Sequence, residues 1–213
     1  MERVVLVVAP HPDDESIGCG GAICLHRRRG EAVHVVFLTS GERGIEGASP
    51  ESVRSIRESE AERAAEVLGV GRTDFLRLPD LGLSGMLGPG ASRLAGILRE
   101  HRPGLIYLPH PGEAHPDHQA ALPMVRAAVG EVGSDNLPEL WGYEVWTPMG
   151  AYDWPQDISP VMAHKLRAVR CYRSQLAAFR YDRAVRGLNQ YRGCLAARCR
   201  YAEVFAFLDA GGG

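Results

Sequence analysis

Four short runs of aliphatic and β-branched residues, set between longer stretches of helical periodicity, leave this chain few folds to choose from. "VVLVVAP" (4–10), "AVHVVFLTS" (32–40), "DFLRLPD" (74–80) and "GLIYLPH" (104–110) read as strands. Segments near 18–29, 51–69, 90–101 and, after the fourth strand, 115–130 have helical spacing. The second helix is the best marked, with Ser49-Pro50-Glu51 as a capped start and Gly69 as its end. Near-continuous apolar strands alternating with helices imply a parallel sheet covered on both faces, wound by right-handed crossovers. The expected fold class is therefore α/β: a Rossmann-like, doubly wound, mostly parallel sheet in a three-layer sandwich. "ELWGYEVWTP" (139–148) is a fifth strand by the same criteria, helices are expected near 160–170 and 184–199, and "YAEVFAFL" (201–208) is a last apolar run.

Bulk properties narrow the class further. At 213 residues, with no linker visible, one domain spanning 1–213 is expected. Such a chain buries a sizeable core without disulfides or a structural metal, so a metal here would serve chemistry. A formal net charge of −2 leaves no electrostatic footprint for nucleic acid. The short basic run Arg27-Arg28-Arg29 falls where the first helix should end, a position the helix dipole favours for cations. Cys19, Cys24, Cys171, Cys194 and Cys199 form an odd set with no C-x-x-C pair, which suits reduced thiols in a cytoplasmic protein. No apolar run reaches membrane-spanning length, and the first apolar stretch is too short for a signal peptide.

The first strand ends in His11-Pro12-Asp13-Asp14-Glu15, and the fourth in "LPHPGEAHPDH", which carries His110, Glu113, His115, Asp117 and His118. In the usual strand order 3-2-1-4-5, strands one and four are neighbours at the switch point where open α/β sheets bind ligands. Two His/Asp clusters distant in sequence should then share one crevice. His11 and Asp14 can bend round one ion, His118 can complete a His-Asp-His set, and Asp13 and His115 stay free beside it. A catalytic zinc uses three such ligands and an open position, and it lowers the pKa of its water to about 7. A neighbouring carboxylate can take a proton, and a histidine opposite can stabilise an oxyanion. Fe(II) or another divalent metal suits the same donors.

Taken singly, each acidic residue could be a helix cap and each histidine an ordinary loop residue. Such readings leave unexplained why both clusters fall at the ends of adjacent strands. "GCGG" (18–21) matches G-x-G-x-x-G poorly, and the second strand ends in Thr39-Ser40 without an acid for a ribose. Its glycines are better read as letting the first helix pack closely beside the metal loop.

"PHPDDESIGCGGAI" and "HPDHQA" resemble the two signature motifs of the PIG-L/LmbE-like zinc-dependent de-N-acetylases, which act on N-acetylglucosamine conjugates. "RESEAERAAEVLGV" (57–70), "KLRAVRCYRSQ" (165–175) and "YAEVF" (201–205) resemble later blocks of that family, so the likeness spans nearly the whole chain. The resemblance implies His11, Asp14 and His118 as zinc ligands and Asp13 as general base. It implies His115 as the group polarising the acetyl carbonyl and stabilising the oxyanion, Asp117 as the residue orienting or charge-tuning that histidine, and Arg57 near the substrate. A helix-surface partnership of Arg57 with Glu60 is the alternative for that arginine. Glu113 and Tyr172 depart from the residues common in relatives.

The expected activity is removal of the N-acetyl group from a GlcNAc-type conjugate by metal-activated water, giving acetate and a free amine. The expected partner is a small N-acetylated amino-sugar substrate, with no nucleic acid and no membrane span; a homo-oligomer is compatible with the chain. The competing classes are a metal hydrolase of another kind, such as a phosphoesterase or other amidase, and a non-catalytic binding module. Trp146, Tyr152 and Trp154 lie in a stretch that could wall a sugar pocket.

Overall fold

In the computed structural model, which describes residues 4–133 and 137–211, seven strands form one sheet in the order β3-β2-β1-β4-β5-β7-β6. The two ends of the expected 1–213 domain lie outside the described residues. The strands are β1 (Val4–Ala9), β2 (Ala32–Thr39), β3 (Arg72–Leu78), β4 (Leu105–Pro109), β5 (Glu139–Tyr143), β6 (Trp154–Asp157) and β7 (Ala202–Leu208). The first five pair in parallel, in the expected order. β7 runs antiparallel to both β5 and β6 and turns the far edge into a mixed sheet.

Among the described residues seven α-helices flank the sheet: α1 (Asp14–Arg28), α2 (Pro50–Leu68), α3 (Leu87–His101), α4 (Pro116–Val132), α5 (Met162–Val169), α6 (Arg173–Ala178) and α7 (Tyr181–Arg192). Alternate residues of β1 feed two cores. Val5, Val7 and Ala9 join Ile17, Ile23, Ala64, Leu68 and Phe205 on one face. Leu6 and Val8 join Leu94, Leu98, Met124 and Val125 on the other. Burial on both faces is what the near-continuous apolar strands require. The caps of α2 are also as expected: Ser49 Oγ accepts the Ser52 amide at 3.3 Å, and Gly69 closes the helix at φ 75°.

Several boundaries differ from the sequence expectation. α1 starts at Asp14, not near 18, because the Asp13 carbonyl already accepts the Ile17 amide at 2.9 Å. β5 stops at Tyr143, since the amides of 145–147 turn away from the sheet to bind the Glu113 carboxylate. The region 184–199 is α7 followed by a π-helical turn, Gly193–Ala197. The short strand β6, with Pro155 in its middle, has no alternating pattern to announce it.

α1 is kinked at Cys19 (φ −133°, ψ 20°), and the glycines around the kink answer to close neighbours. A Cβ on Gly18 would lie 2.1 Å from Tyr143 Cδ2. Tyr143 is fully buried and its hydroxyl donates to the Val8 carbonyl at 3.0 Å, so the ring has nowhere to move. Gly18→Ala is expected to destabilise the protein by about 1–3 kcal/mol through overpacking, read as a lower urea midpoint; a midpoint equal to wild type would contradict this packing. Gly21 leaves room for the Glu203 carboxylate, which accepts the Gly21 and Ala22 amides at 2.7 and 2.8 Å. A strand residue thus caps the second half of a helix that begins at the other end of the chain.

Candidate metal centre

The turn after β1 and the start of α4 bring the two His/Asp clusters together. Asp14 Oδ2 lies 3.3 Å from His11 Nδ1 and 3.3 Å from His118 Nε2. Metal bonds of about 2.0–2.1 Å place tetrahedral ligand atoms about 3.3–3.4 Å apart, so both spacings suit one ion. The three residues are 7 %, 2 % and 1 % exposed for His11, Asp14 and His118. Nitrogens of His11, His115 and His118 also fall within 4.8 Å of one another, as do donor atoms of His11, Asp80 and Asp117. The His11–Asp80 and His11–Asp117 edges, 3.2 and 3.3 Å from Nε2, are as short as the two that share Asp14, but they leave from the other ring nitrogen of His11.

Carboxylates stand behind both imidazoles, the usual arrangement for metal-binding histidines. Glu113, 1 % exposed, lies 3.3 Å from His118 Nδ1 and accepts the amides of Val145, Trp146 and Thr147. Burial opposes its ionisation, but His110, His118 and those amides hold it at about 2. His11 Nε2 faces Asp80 at 3.2 Å and Asp117 at 3.3 Å. Asp117 therefore does not orient His115 through its carboxylate, which also accepts the Leu81 and Leu83 amides at 2.8 and 3.1 Å. Its tie to His115 is the backbone: the Asp117 amide donates to His115 Nδ1 at 3.2 Å. His110 is tied to the Thr147 carbonyl at 2.8 Å.

That backbone bond fixes a tautomer. With Nδ1 accepting, the ring proton of neutral His115 sits on Nε2. Burial, then His11 and His118, lowers the His115 pKa and favours the neutral ring. Asp13 has a different environment. Burial lifts its pKa to about 7, against the pull of Arg57, whose Nη2 is 3.4 Å away. Arg57 is only 4 % exposed and donates to the carbonyls of Gly41 (3.0 Å) and Pro12 (2.7 Å). The surface pairing with Glu60 is excluded; Glu60 binds the amide and hydroxyl of Ser174.

The charge balance points the same way as the distances. Asp13, Asp14, Asp80, Glu113 and Asp117 surround two buried imidazoles. Burial disfavours charge on His11, yet Asp117, Asp14 and Asp80 raise its pKa well above the ordinary value. Burial is likewise outweighed at His118, which Asp14 and Glu113 lift to about 9. A donor set that draws positive charge so strongly fits a divalent cation, whose binding releases such protons.

The cluster forms the floor of a cleft of about 190 Å³ whose wall includes Arg43, Arg57, Leu81, Trp146, Phe179 and Tyr181. The Trp146 ring stands edge-on to His115, 5.3 Å between centroids. Of the other aromatics considered, Tyr152 packs under Arg192 and Trp154 is exposed on β6; neither lines the cleft. Asp80 was not anticipated, although it follows β3 at the same edge of the sheet as the two clusters. The rule that ligands gather at carboxyl ends of strands would have found it.

A model of the PIG-L family, described as GlcNAc-PI de-N-acetylase, matches residues 6–129. The chain is 31 % identical over 188 residues to a probable N-acetyl-alpha-D-glucosaminyl L-malate deacetylase 2 of Bacillus anthracis, covering 83 % of each chain. It superposes on N,N'-diacetylchitobiose deacetylase of Pyrococcus horikoshii with a TM-score of 0.84 and 27 % identity, covering 98 % of this chain and 84 % of that one. It also superposes on GalB, the 4-carboxy-2-hydroxymuconate hydratase of Pseudomonas putida KT2440, with a TM-score of 0.77 and 25 % identity, covering 99 % and 98 %. Among the described residues no helix is long and apolar enough to cross a membrane.

Proposed function

Since the chain belongs to the PIG-L family, we propose that it hydrolyses the N-acetyl group of a GlcNAc-type sugar conjugate, releasing acetate and a primary amine. The observation that carries this reading is the shared Asp14 oxygen, 3.3 Å from both His11 and His118, with Asp13 and His115 lining the same cleft. His11, Asp14 and His118 would hold a divalent cation, zinc by the resemblance of the motifs, with Fe(II) an outcome of metal analysis. Bound there, the cation supplies Lewis-acid polarisation of the amide carbonyl and lowers the pKa of water.

The chain's own groups do the proton work. Asp13, a buried carboxylate held near neutrality, accepts the proton of the attacking water. His115 presents Nε2–H to the carbonyl oxygen as negative charge grows there. The proton held by Asp13 then passes to the departing nitrogen. Arg57 steadies Asp13 and the Pro12 carbonyl, and its position on the cleft wall suits contact with the sugar. Trp146, Phe179 and Tyr181 line the cleft, and aromatic side chains there suit packing against the C–H face of a pyranose.

The test is an amine-release assay on a panel of GlcNAc conjugates, with the metal removed by chelator and restored, beside Asp14→Ala. Release by the loaded wild type, lost on chelation and lost in Asp14→Ala together with the metal, is expected. A metal-loaded protein that frees no amine from any conjugate would move the reading toward a hydratase, the activity named for one similar structure.

A further inference from the structure

Asp13 has a backbone that side-chain-bearing residues avoid: φ 131°, ψ −28°. Such a conformation persists only where its surroundings hold it. Arg57 grips one side through the Pro12 carbonyl, 2.7 Å from Nη2. On the other side Glu15 Oε2 accepts the Asp13 amide at 3.1 Å. Glu15 is 2 % exposed, and its Oε1 accepts the hydroxyls of Ser16 at 2.5 Å and Tyr172 at 2.6 Å. Ser16 is the next residue in the chain and moves with Glu15. Tyr172, 157 residues away and 1 % exposed at the start of α6, anchors the carboxylate to the rest of the fold. Neither Glu15 nor Tyr172 lines the cleft.

We infer that Tyr172 is a positioning residue for Asp13, acting through Glu15 to hold the strained turn in its working shape. The inference rests on the reading of Asp13 as the base and adds a residue that reading does not need. Without the phenol hydroxyl, the Glu15 carboxylate keeps only partners from its own turn and can tilt. The Asp13 amide then loses its fixed acceptor, and the backbone relaxes toward negative φ. That swings the carboxylate away from the attacking water. Substrate contacts are untouched, so turnover falls while binding holds.

Tyr172→Phe keeps the ring and removes the hydroxyl. Its kcat is expected to be about tenfold lower, in line with the sensitivity of turnover to sub-ångström misplacement, with KM within about twofold and metal content unchanged. In a crystal structure of the loaded variant, Asp13 should have left the positive-φ region it holds in the wild type. In a Glu15→Ala background the same change should add less than about twofold, because its route to Asp13 is already cut. A variant with wild-type kcat, or with Asp13 still at its wild-type φ, overturns the inference. So does a loss that appears as raised KM or lost metal, since a merely structural role would act that way. If the wild type proves inert to every conjugate, the deacetylase reading fails separately, and the crystal structures of wild type and variant still decide whether Tyr172 holds the turn.

Discussion

Asp13→Asn is expected to lower kcat by about 10²–10⁴-fold, the usual contribution of a positioned proton acceptor, while metal content and KM stay near wild type. The amide is nearly the same size as the carboxylate but cannot take a proton. The metal should remain because the 3.3 Å edges run through Asp14, His11 and His118 and do not involve Asp13. The same variant should melt close to wild type, because Arg57, which loses the Asp13 counter-charge, keeps the Gly41 and Pro12 carbonyls. Burial that pushes the Asp13 carboxyl up to about 7 is a burden on the folded protein whenever that group is ionised, and Asn carries no charge to bury. Lost turnover with kept or increased stability is the signature of a residue retained for function. Undiminished kcat would remove Asp13 from the mechanism.

The largest expected effect on stability lies away from the candidate metal centre. Lys165, the only lysine in the chain, is fully buried with Nζ 2.7 Å from Glu203 Oε1, and Glu203 is 1 % exposed. Lys165→Met would leave that carboxylate buried with two amide donors and no counter-charge. Breaking a buried pair from one side costs about 3–5 kcal/mol, which for a domain of this size is about 6–20 °C in melting temperature. The double variant Lys165→Met/Glu203→Gln should recover much of the loss, because a neutral side chain can still accept one α1 amide without leaving a charge unpaired. The check is urea unfolding of both variants. A single-variant loss under about 1 kcal/mol would mean that the two amides alone satisfy Glu203.

Much of this architecture is written locally in the chain. Strand order and the meeting of His11 with His118 follow from apolar runs and a topological rule, and the ends of α2 follow from Ser49 and Gly69. What escaped was set by partners distant in sequence. Lys165 looks like a surface residue until Glu203, 38 positions on, is brought beside it. β5 ends early because Glu113, from another loop, takes its next amides. Arg57 sits on a helix rich in charge, and only tertiary packing shows that its face of α2 is turned inward. The Asp117 carboxylate faces His11, and only its backbone amide reaches His115, a division of partners that no spacing in HPDH announces.

The brace that Glu203 provides for α1 also has a direction in time. A ribosome makes His11, Asp13 and Asp14 long before Glu203, and β7 enters the sheet between β5 and β6, already synthesised. The emerging chain therefore carries the candidate ligands long before the helix behind them is capped. Bracing of α1 behind the centre waits for β7, which makes synthesis through residue 203 a condition for a supported site. Fragments that stop short of residue 203 keep the motif and lose its support.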